Sequence, residues 1–242
     1  MAMHEDIPQP AQALILAAGR GERMRPLTDT CPKPLLPVRG QPLMQYPLDA
    51  LARAGFTRVL TNTAWLGEQI EATFGERLTY SHEGRDFGGA LETAGGIARA
   101  LPHLDEVFWV VAGDVFAPDF VFAPDALARF RASDALAHLW LVPNPPHNPK
   151  GDFGLAPDGL ALNGDGPDGT RLTYSTLGLY RQALFQPPWC DIPPGNPGGV
   201  KAALAPLLRH AMDASRITAS VYTGTWADVG TPERLLALNT TH

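Results

Sequence analysis

Between Leu16 and Arg39 the chain reads LAAGRGERMRPLTDTCPKPLLPVR, and the cations Arg20, Arg23, Arg25, Lys33 and Arg39 fall within it. Only Glu22 and Asp29 oppose them. A short apolar run, Ala13 to Ala18, precedes the segment, and the glycines Gly19 and Gly21 open it. Glycines let backbone N–H groups close on a phosphate chain. Arg and Lys are the side chains that bind several adjacent negative charges. The chemistry suggested is binding of a triphosphate or pyrophosphate; a solvated polar turn is the plainer alternative. Two aspartates are placed to hold a cation. Asp114 follows the apolar run VFWVVA (107–112), and Asp228 stands in W-A-D-V-G-T (226–231). A carboxylate at the C-terminal end of a central parallel strand faces the ligand crevice of such sheets. Mg²⁺ takes one or two carboxylates together with phosphate oxygens and water. Either aspartate serves as well as a loop or helix-capping residue.

Other polar groups could read a base and a sugar. Uracil presents one N–H donor between two carbonyl acceptors. A carboxylate flanked by backbone N–H groups matches it, and Glu83 with the segment Leu91-Glu92-Thr93-Ala94-Gly95-Gly96 could provide these. The alternative is a solvated glutamate with Thr93 as a helix N-cap. Asn144, Gly151, Asp152 and Thr176 fall in loops or at strand ends of the second half, where polar groups can meet sugar hydroxyls.

Two familiar phosphate loops are excluded. No G-x-x-x-x-G-K-[ST] occurs, and G-x-G-x-x-G fails at its last position, where Met24 stands. Instead Gly19, Gly21, Arg23, Pro26, Leu27 and Thr28, followed by Pro32, Lys33, Pro34, Leu35, Pro37 and Val38, resemble the signature of the sugar-1-phosphate nucleotidyltransferases. The resemblance implies a Rossmann-like, GT-A-like sheet and a nucleotide site on Ala17, Ala18, Gly19, Gly21, Arg23, Glu83 and Thr93. It implies a catalytic set of Arg23, Lys33 and Asp114, and Mg²⁺ held by Asp114 and Asp228. Within the family the chain is similar to the uridylyltransferases that act on N-acetylmuramate α-1-phosphate in peptidoglycan recycling. The segments that carry this are residues 62–70, 91–96, 150–153 and 205–209. The chain departs from that pattern at Ala94, where glycine is expected, at Thr176, and around residues 85–90. The activity implied is transfer of a uridylyl group from UTP to the sugar phosphate. Thymidylyl or guanylyl transfer to a hexose or heptose phosphate, of the mannose-1-phosphate guanylyltransferase kind, is the alternative. A non-catalytic nucleotide-sugar sensor is a more distant one.

The elements that must position these groups follow from pattern. Apolar runs at 13–18, 58–61, 78–80 and 107–112 read as strands. Amphipathic segments at 41–54, 65–74 and 93–101 read as helices between them. Alternating strands and helices predict an α/β fold with a mostly parallel, doubly wound sheet. The second half is less regular and richer in β-structure. Strands are expected at 171–180 and 217–222, helices at 200–214 and 231–238, and surface loops at 143–151 and 187–199, the second a candidate mobile segment. Residues 1–11 read as a disordered lead-in and 12–242 as a single domain. The 242 residues suffice for a sizeable core, and 45% hydrophobic against 18% charged is ordinary globular composition. A net charge of −6 argues against nucleic acid as a partner. The two cysteines, Cys31 and Cys190, give neither a disulfide framework nor a zinc spacing. No apolar run approaches the ~20 residues of a membrane span. A cytoplasmic protein is expected; nothing in the pattern fixes its oligomeric state.

Overall fold

The computed structural model describes residues 11–240. The expected lead-in falls outside the described residues except for Ala11, which opens the first strand. Seven strands form one sheet: β1 (Ala11–Leu16), β2 (Val59–Thr63), β3 (Thr79–His82), β4 (Leu104–Ala112), β5 (Ala137–Val142), β6 (Thr173–Arg181) and β7 (Ile217–Val221). Their order across the sheet is β7-β5-β6-β4-β1-β2-β3. β1 pairs in parallel with β2 and β4, β2 with β3, and β5 with β7. Only β6 runs antiparallel, to both β4 and β5. The sheet is thus mostly parallel, with the irregularity in its second half.

The apolar strands are explained by burial on both faces. In β1 and β4, Leu14, Phe108 and Val110 face one core, while Ala13, Ile15, Trp109 and Val111 face the other. The first core is covered by α4 (Glu92–Ala100) and α6 (Leu204–Asp213) through Ala94, Ile97, Leu204 and Leu208. The second is covered by α1 (Gln45–Arg53), α2 (Gly67–Phe74) and α5 (Pro124–Arg131) through Leu48, Leu51, Ile70, Phe74, Leu127 and Phe130. β1, β2 and β4 all end at one edge, at Leu16, Thr63 and Ala112, which is where open α/β sheets gather ligands. A smaller core of Met24, Leu36, Val38, Leu43, Phe116, Val229 and Leu235 ties the loop after β1 to α7 (Pro232–Thr240).

Several expected boundaries shift. The helix expected over 41–54 begins at Gln45, because Gln41–Pro42 pairs with Pro37–Val38 in a short ribbon. The helix expected over 200–214 begins at Leu204, because Ala202 is spent on backbone bonds with Leu91 and Ala94. Residues 85–90, which depart from the family pattern, contain most of a short helix, α3 (Glu83–Phe87), ended by Gly88 in the left-handed region. The 187–199 segment is pinned, contrary to its expected mobility. Asn196 is fully buried and its amide bridges Gly95 and Val200, while the Gly195 N–H donates to the Ala98 carbonyl.

Candidate active site

The five cations of the loop after β1 divide into two groups. Arg20 donates to the Thr28 carbonyl and to Asp29 Oδ1, and Arg25 donates to the same carboxylate oxygen at 2.8 Å. These contacts, Arg20 foremost, hold the Asp29 carboxyl below its usual range. Arg20 also lies 3.9 Å over the Trp65 ring, whose indole N–H donates to the Thr28 carbonyl. Arg39 stacks on Phe116. These three therefore build the loop. Gly21 lets it turn: its φ is 67°, and a Cβ there would stand 3.0 Å from the buried Thr28 side chain. Thr28 Oγ1 donates to the Gly21 carbonyl, locking the turn. Arg23 and Lys33 are left for the cleft. Both line a cavity of about 260 Å³ together with Ala17, Gly19, Gly21, Asp114 and Gly230.

Lys33 sits in a short turn between Pro32 and Pro34, which fix its backbone. Its Nζ lies 2.6 Å from Asp114 Oδ2, and its side chain is 11% exposed. Asp114 follows β4, and Gly113 before it donates its N–H to the Leu16 carbonyl at the end of β1. Asp228 arrives by a two-residue ribbon. Ala227–Asp228 pairs antiparallel with Val115–Phe116, opposite Val115, and the Val229 N–H donates to the Asp114 carbonyl. The two expected metal carboxylates thus lie near each other along the backbone, Asp228 in the ribbon opposite Val115 and Asp114 just before it; Asp114 lines both cavities and Asp228 neither. Asp114 is held by Lys33 and Asp228 by Arg234 at 2.6 Å, and a ring nitrogen of His147 lies 2.9 Å from Asp228 Oδ1. Among the described residues no group of three or more His, Cys, Asp or Glu converges. Asp114 and Asp228 each offer the oxygen donors that Mg²⁺ takes together with phosphate oxygens and water.

A second, larger cavity of about 680 Å³ adjoins the first and shares Leu16, Gly19 and Asp114 with it. On one side stand Ala18, Asn62, Glu83, Glu92 and Thr93. Here a buried relay joins three elements. The Ala17 N–H donates to Asn62 Oδ1 at 2.7 Å, Asn62 Nδ2 donates to Glu83 Oε1 at 2.7 Å, and the Leu91 N–H donates to Glu83 Oε2 at 2.8 Å. Glu83 is buried rather than solvated, and burial raises its pKa against the pull of those donors. Thr93 lies inside the first turn of α4 and caps nothing; Leu91 occupies the N-cap position, with Glu92 at φ 58°. On the other side stand Asp152, Phe153, Tyr174, Thr176, Leu208 and Arg209. Thr176, at φ 63°, occupies the register shift of β6 between Tyr174 and Gly178, a strained setting for a β-branched residue.

Of the four expected sugar residues, Asp152 and Thr176 line this cavity and Asn144 and Gly151 do not. Asn144 joins Pro149, Arg171 and Thr173. Gly151, at φ 64°, lies so close to Arg171 that a Cβ would come within 2.8 Å of its backbone. Both shape the loop that carries Asp152. Arg209 belongs to the 205–209 segment that carries the family resemblance, but it is not among the expected sugar residues. In the structure it donates to Asn163 and lies 5.1 Å over Phe153. His147 and Arg234 are visible only once the ribbon is formed.

A family model described as Nucleotidyl transferase matches residues 12–163. N-acetylmuramate alpha-1-phosphate uridylyltransferase of Neisseria meningitidis serogroup B is 48% identical over 93% of this chain and 95% of its own length. The enzyme of the same name from Caulobacter vibrioides is 30% identical over 94% and 95%. Among solved structures, a putative glucose-1-phosphate thymidylyltransferase from Bacillus anthracis in complex with a sucrose superposes with a TM-score of 0.76. It covers 95% of this chain and 94% of that one at 18% identity, a likeness of fold.

Proposed function

The chain belongs to the nucleotidyl transferase family, as a sugar-1-phosphate nucleotidyltransferase, and we propose that it transfers the uridylyl group of UTP to N-acetylmuramate α-1-phosphate, releasing pyrophosphate, in peptidoglycan recycling. The observation that carries this reading is the junction at Asp114. It lies on the wall shared by the cavity that Arg23 and Lys33 line, sized for phosphates, and a larger cavity sized for a base and a sugar. The near-identical span and 48% identity of the Neisseria enzyme favour UTP and this sugar. The sugar is also favoured by Arg209, the one cationic side chain among the described residues that line the larger cavity. N-acetylmuramate differs from N-acetylglucosamine by a lactyl carboxylate, and a guanidinium is the partner such a group needs.

In this reading an oxygen of the sugar phosphate attacks the α-phosphorus of UTP in line, and pyrophosphate leaves. No protein nucleophile is required, so the chain contributes position and charge. Lys33 holds the attacking phosphate against the α-phosphate, and Arg23 meets the charge that develops on the leaving pyrophosphate. Asp114 and Asp228 would hold Mg²⁺, which neutralises phosphate charge when bound. The Ala17–Asn62–Glu83–Leu91 relay keeps the phosphate loop and the base wall in fixed relation. The test is pyrophosphate release from UTP and Mg²⁺ with N-acetylmuramate α-1-phosphate, N-acetylglucosamine-1-phosphate and glucose-1-phosphate compared. A strong preference for the first is expected. Preference for another sugar would discard the substrate, and no release with any sugar or nucleotide would discard catalysis.

A further inference from the structure

The first turn of α7 carries a guanidinium for which the reaction above has no role. Arg234 Nη1 donates to Asp228 Oδ2 at 2.6 Å and lies 3.3 Å from His147 Nε2. A guanidinium has five N–H donors. Those of Arg234 are largely withdrawn from water, since its side chain is 24% exposed, and its contacts with described protein groups run through Nη1.

Gly230 locates this guanidinium. It forms part of the wall of the smaller cavity, beside Arg23 and Lys33. A Cβ at Gly230 would lie 2.7 Å from Arg234 Nη1, 3.2 Å from Asp228 Oδ2 and 3.4 Å from Arg23 Nη2. Two guanidiniums from opposite ends of the chain therefore converge on one point, with the Asp228 carboxylate beside them. Arg23 lines the cavity and Arg234 stands directly behind its Gly230 wall, so an anion in the cavity meets the field of both guanidiniums. Position decides which anion. The α-phosphate belongs at Asp114, where the two cavities meet. The base and sugar take the larger one. The smaller cavity, at about 260 Å³, is left for the rest of the triphosphate.

We propose that Arg234 and Arg23 form a two-guanidinium clamp over Gly230 for the β- and γ-phosphates, and so for the departing pyrophosphate. This rests on the proposed reaction, and inorganic pyrophosphate is the probe that separates the two. Its dissociation constant is measured by calorimetry with excess Mg²⁺ for the wild type, Arg234→Gln and Arg234→Lys, beside that of UMP. In Arg234→Gln pyrophosphate binding weakens on the order of 10-fold, the loss of one charge-assisted contact, while UMP changes less than about 2-fold. Lys keeps the charge and loses the fork, so Arg234→Lys falls between wild type and Gln for pyrophosphate and again leaves UMP alone. In turnover, KM for UTP rises, inhibition by pyrophosphate is relieved, and KM for the sugar phosphate holds. Unchanged pyrophosphate affinity in both variants overturns the clamp. So does equal weakening of pyrophosphate and UMP, which would mean that Arg234 acts only by holding Asp228. If Arg234→Gln fails to fold, Arg234→Lys decides by the same two ligands. A wild type that binds pyrophosphate yet turns over no sugar phosphate would remove the proposed reaction and leave the clamp standing.

Discussion

Replacing Lys33 by methionine separates its role in the fold from its role in the reaction. The ion pair with Asp114 is short, 2.6 Å, and its gross attraction is ~6 kcal/mol at an effective dielectric constant of about 20. Holding an ammonium at 11% exposure offsets most of that, because desolvation costs several kcal/mol per ion. The net contribution to folding is then ~1 kcal/mol or less. Methionine fills nearly the same volume, and Asp114, 37% exposed, can be rehydrated once its partner is gone. Lys33→Met is therefore expected to lower the melting temperature by about 4 °C at most for a chain of this size. Catalysis is expected to lose far more. A cation that meets charge developing in the transition state is worth about 3–4 kcal/mol, or 10²–10³-fold in kcat. The assay is a continuous measurement of pyrophosphate release over a range of both substrates, run beside thermal unfolding. A variant with kcat/KM within about 3-fold of wild type would refute the assignment. A fall in melting temperature of 10 °C or more with activity intact at lower temperature would show that the pair serves the fold instead.

Further expectations follow from the same geometry. Arg209→Met should reduce kcat/KM for N-acetylmuramate α-1-phosphate about 10-fold or more and that for N-acetylglucosamine-1-phosphate much less, as one charged hydrogen bond is worth ~1.5–3 kcal/mol; equal losses would show that Arg209 only braces its helix. Gly96→Ala should cost ~1–3 kcal/mol of stability by denaturant titration, because its Cβ would come within 2.5 Å of Glu83 Oε1 and 2.9 Å of Asn62 Nδ2. Gly19→Ala should leave stability unchanged, since nothing lies within 4 Å of its Cβ, and should raise KM for UTP by blocking close approach of a phosphate; an unchanged KM would place the triphosphate elsewhere. Burial lowers the pKa of His138 from 6.5 to about 4. The unfolded chain thus takes up this proton first as pH falls, and stability is lost between about pH 6.5 and 4, by up to ~3 kcal/mol. His138→Gln should flatten that slope in unfolding measured at pH 4 to 7, and an unaltered slope would assign it to other groups.

The sequence made the first half of the fold readable because β1, β2 and β4 are buried on both faces and so appear as unbroken apolar runs. α5 and β5 carry no comparable signal. α5 buries only Leu127 and Phe130, and β5 interleaves His138 and Trp140 with its buried positions. The phosphate loop was legible as a cluster of charge, yet charge alone could not say which cations face the cleft. That division depends on Asp29 and Trp65, which claim Arg20 and Arg25 between them and release Arg23. Asp114 was legible from its place after an apolar strand. Asp228 has no such local mark, because its position is set by a two-residue ribbon that pairs across more than a hundred residues. His147 and Arg234 belong to the same class: ordinary polar residues on surface elements until a distant segment packs beside them.

The small core under the phosphate loop explains how these parts can act together. Met24 and Leu36 come from the loop, Phe116 from the ribbon, Val229 from just after its second strand, and Leu235 from α7. They pack into one cluster, so the segments that carry Arg23, Lys33, Asp114, Asp228 and Arg234 share a common apolar base. Like charges packed this closely would relax apart on flexible supports. Held on one base, they keep an arrangement that suits phosphates before the phosphates arrive, and fixed dipoles and charges need no reorganisation as the reaction proceeds. Cutting a large side chain from that base, as in Phe116→Ala, should therefore loosen the site as well as the fold. Tyr46 packs edge-on against the Phe116 ring and Arg39 stacks over it, so their supports go with it. A stability loss of ~3–5 kcal/mol is expected, and kcat should fall even at temperatures where the variant is fully folded. A folded Phe116→Ala enzyme with wild-type kcat would show that the charged groups hold their places without this core.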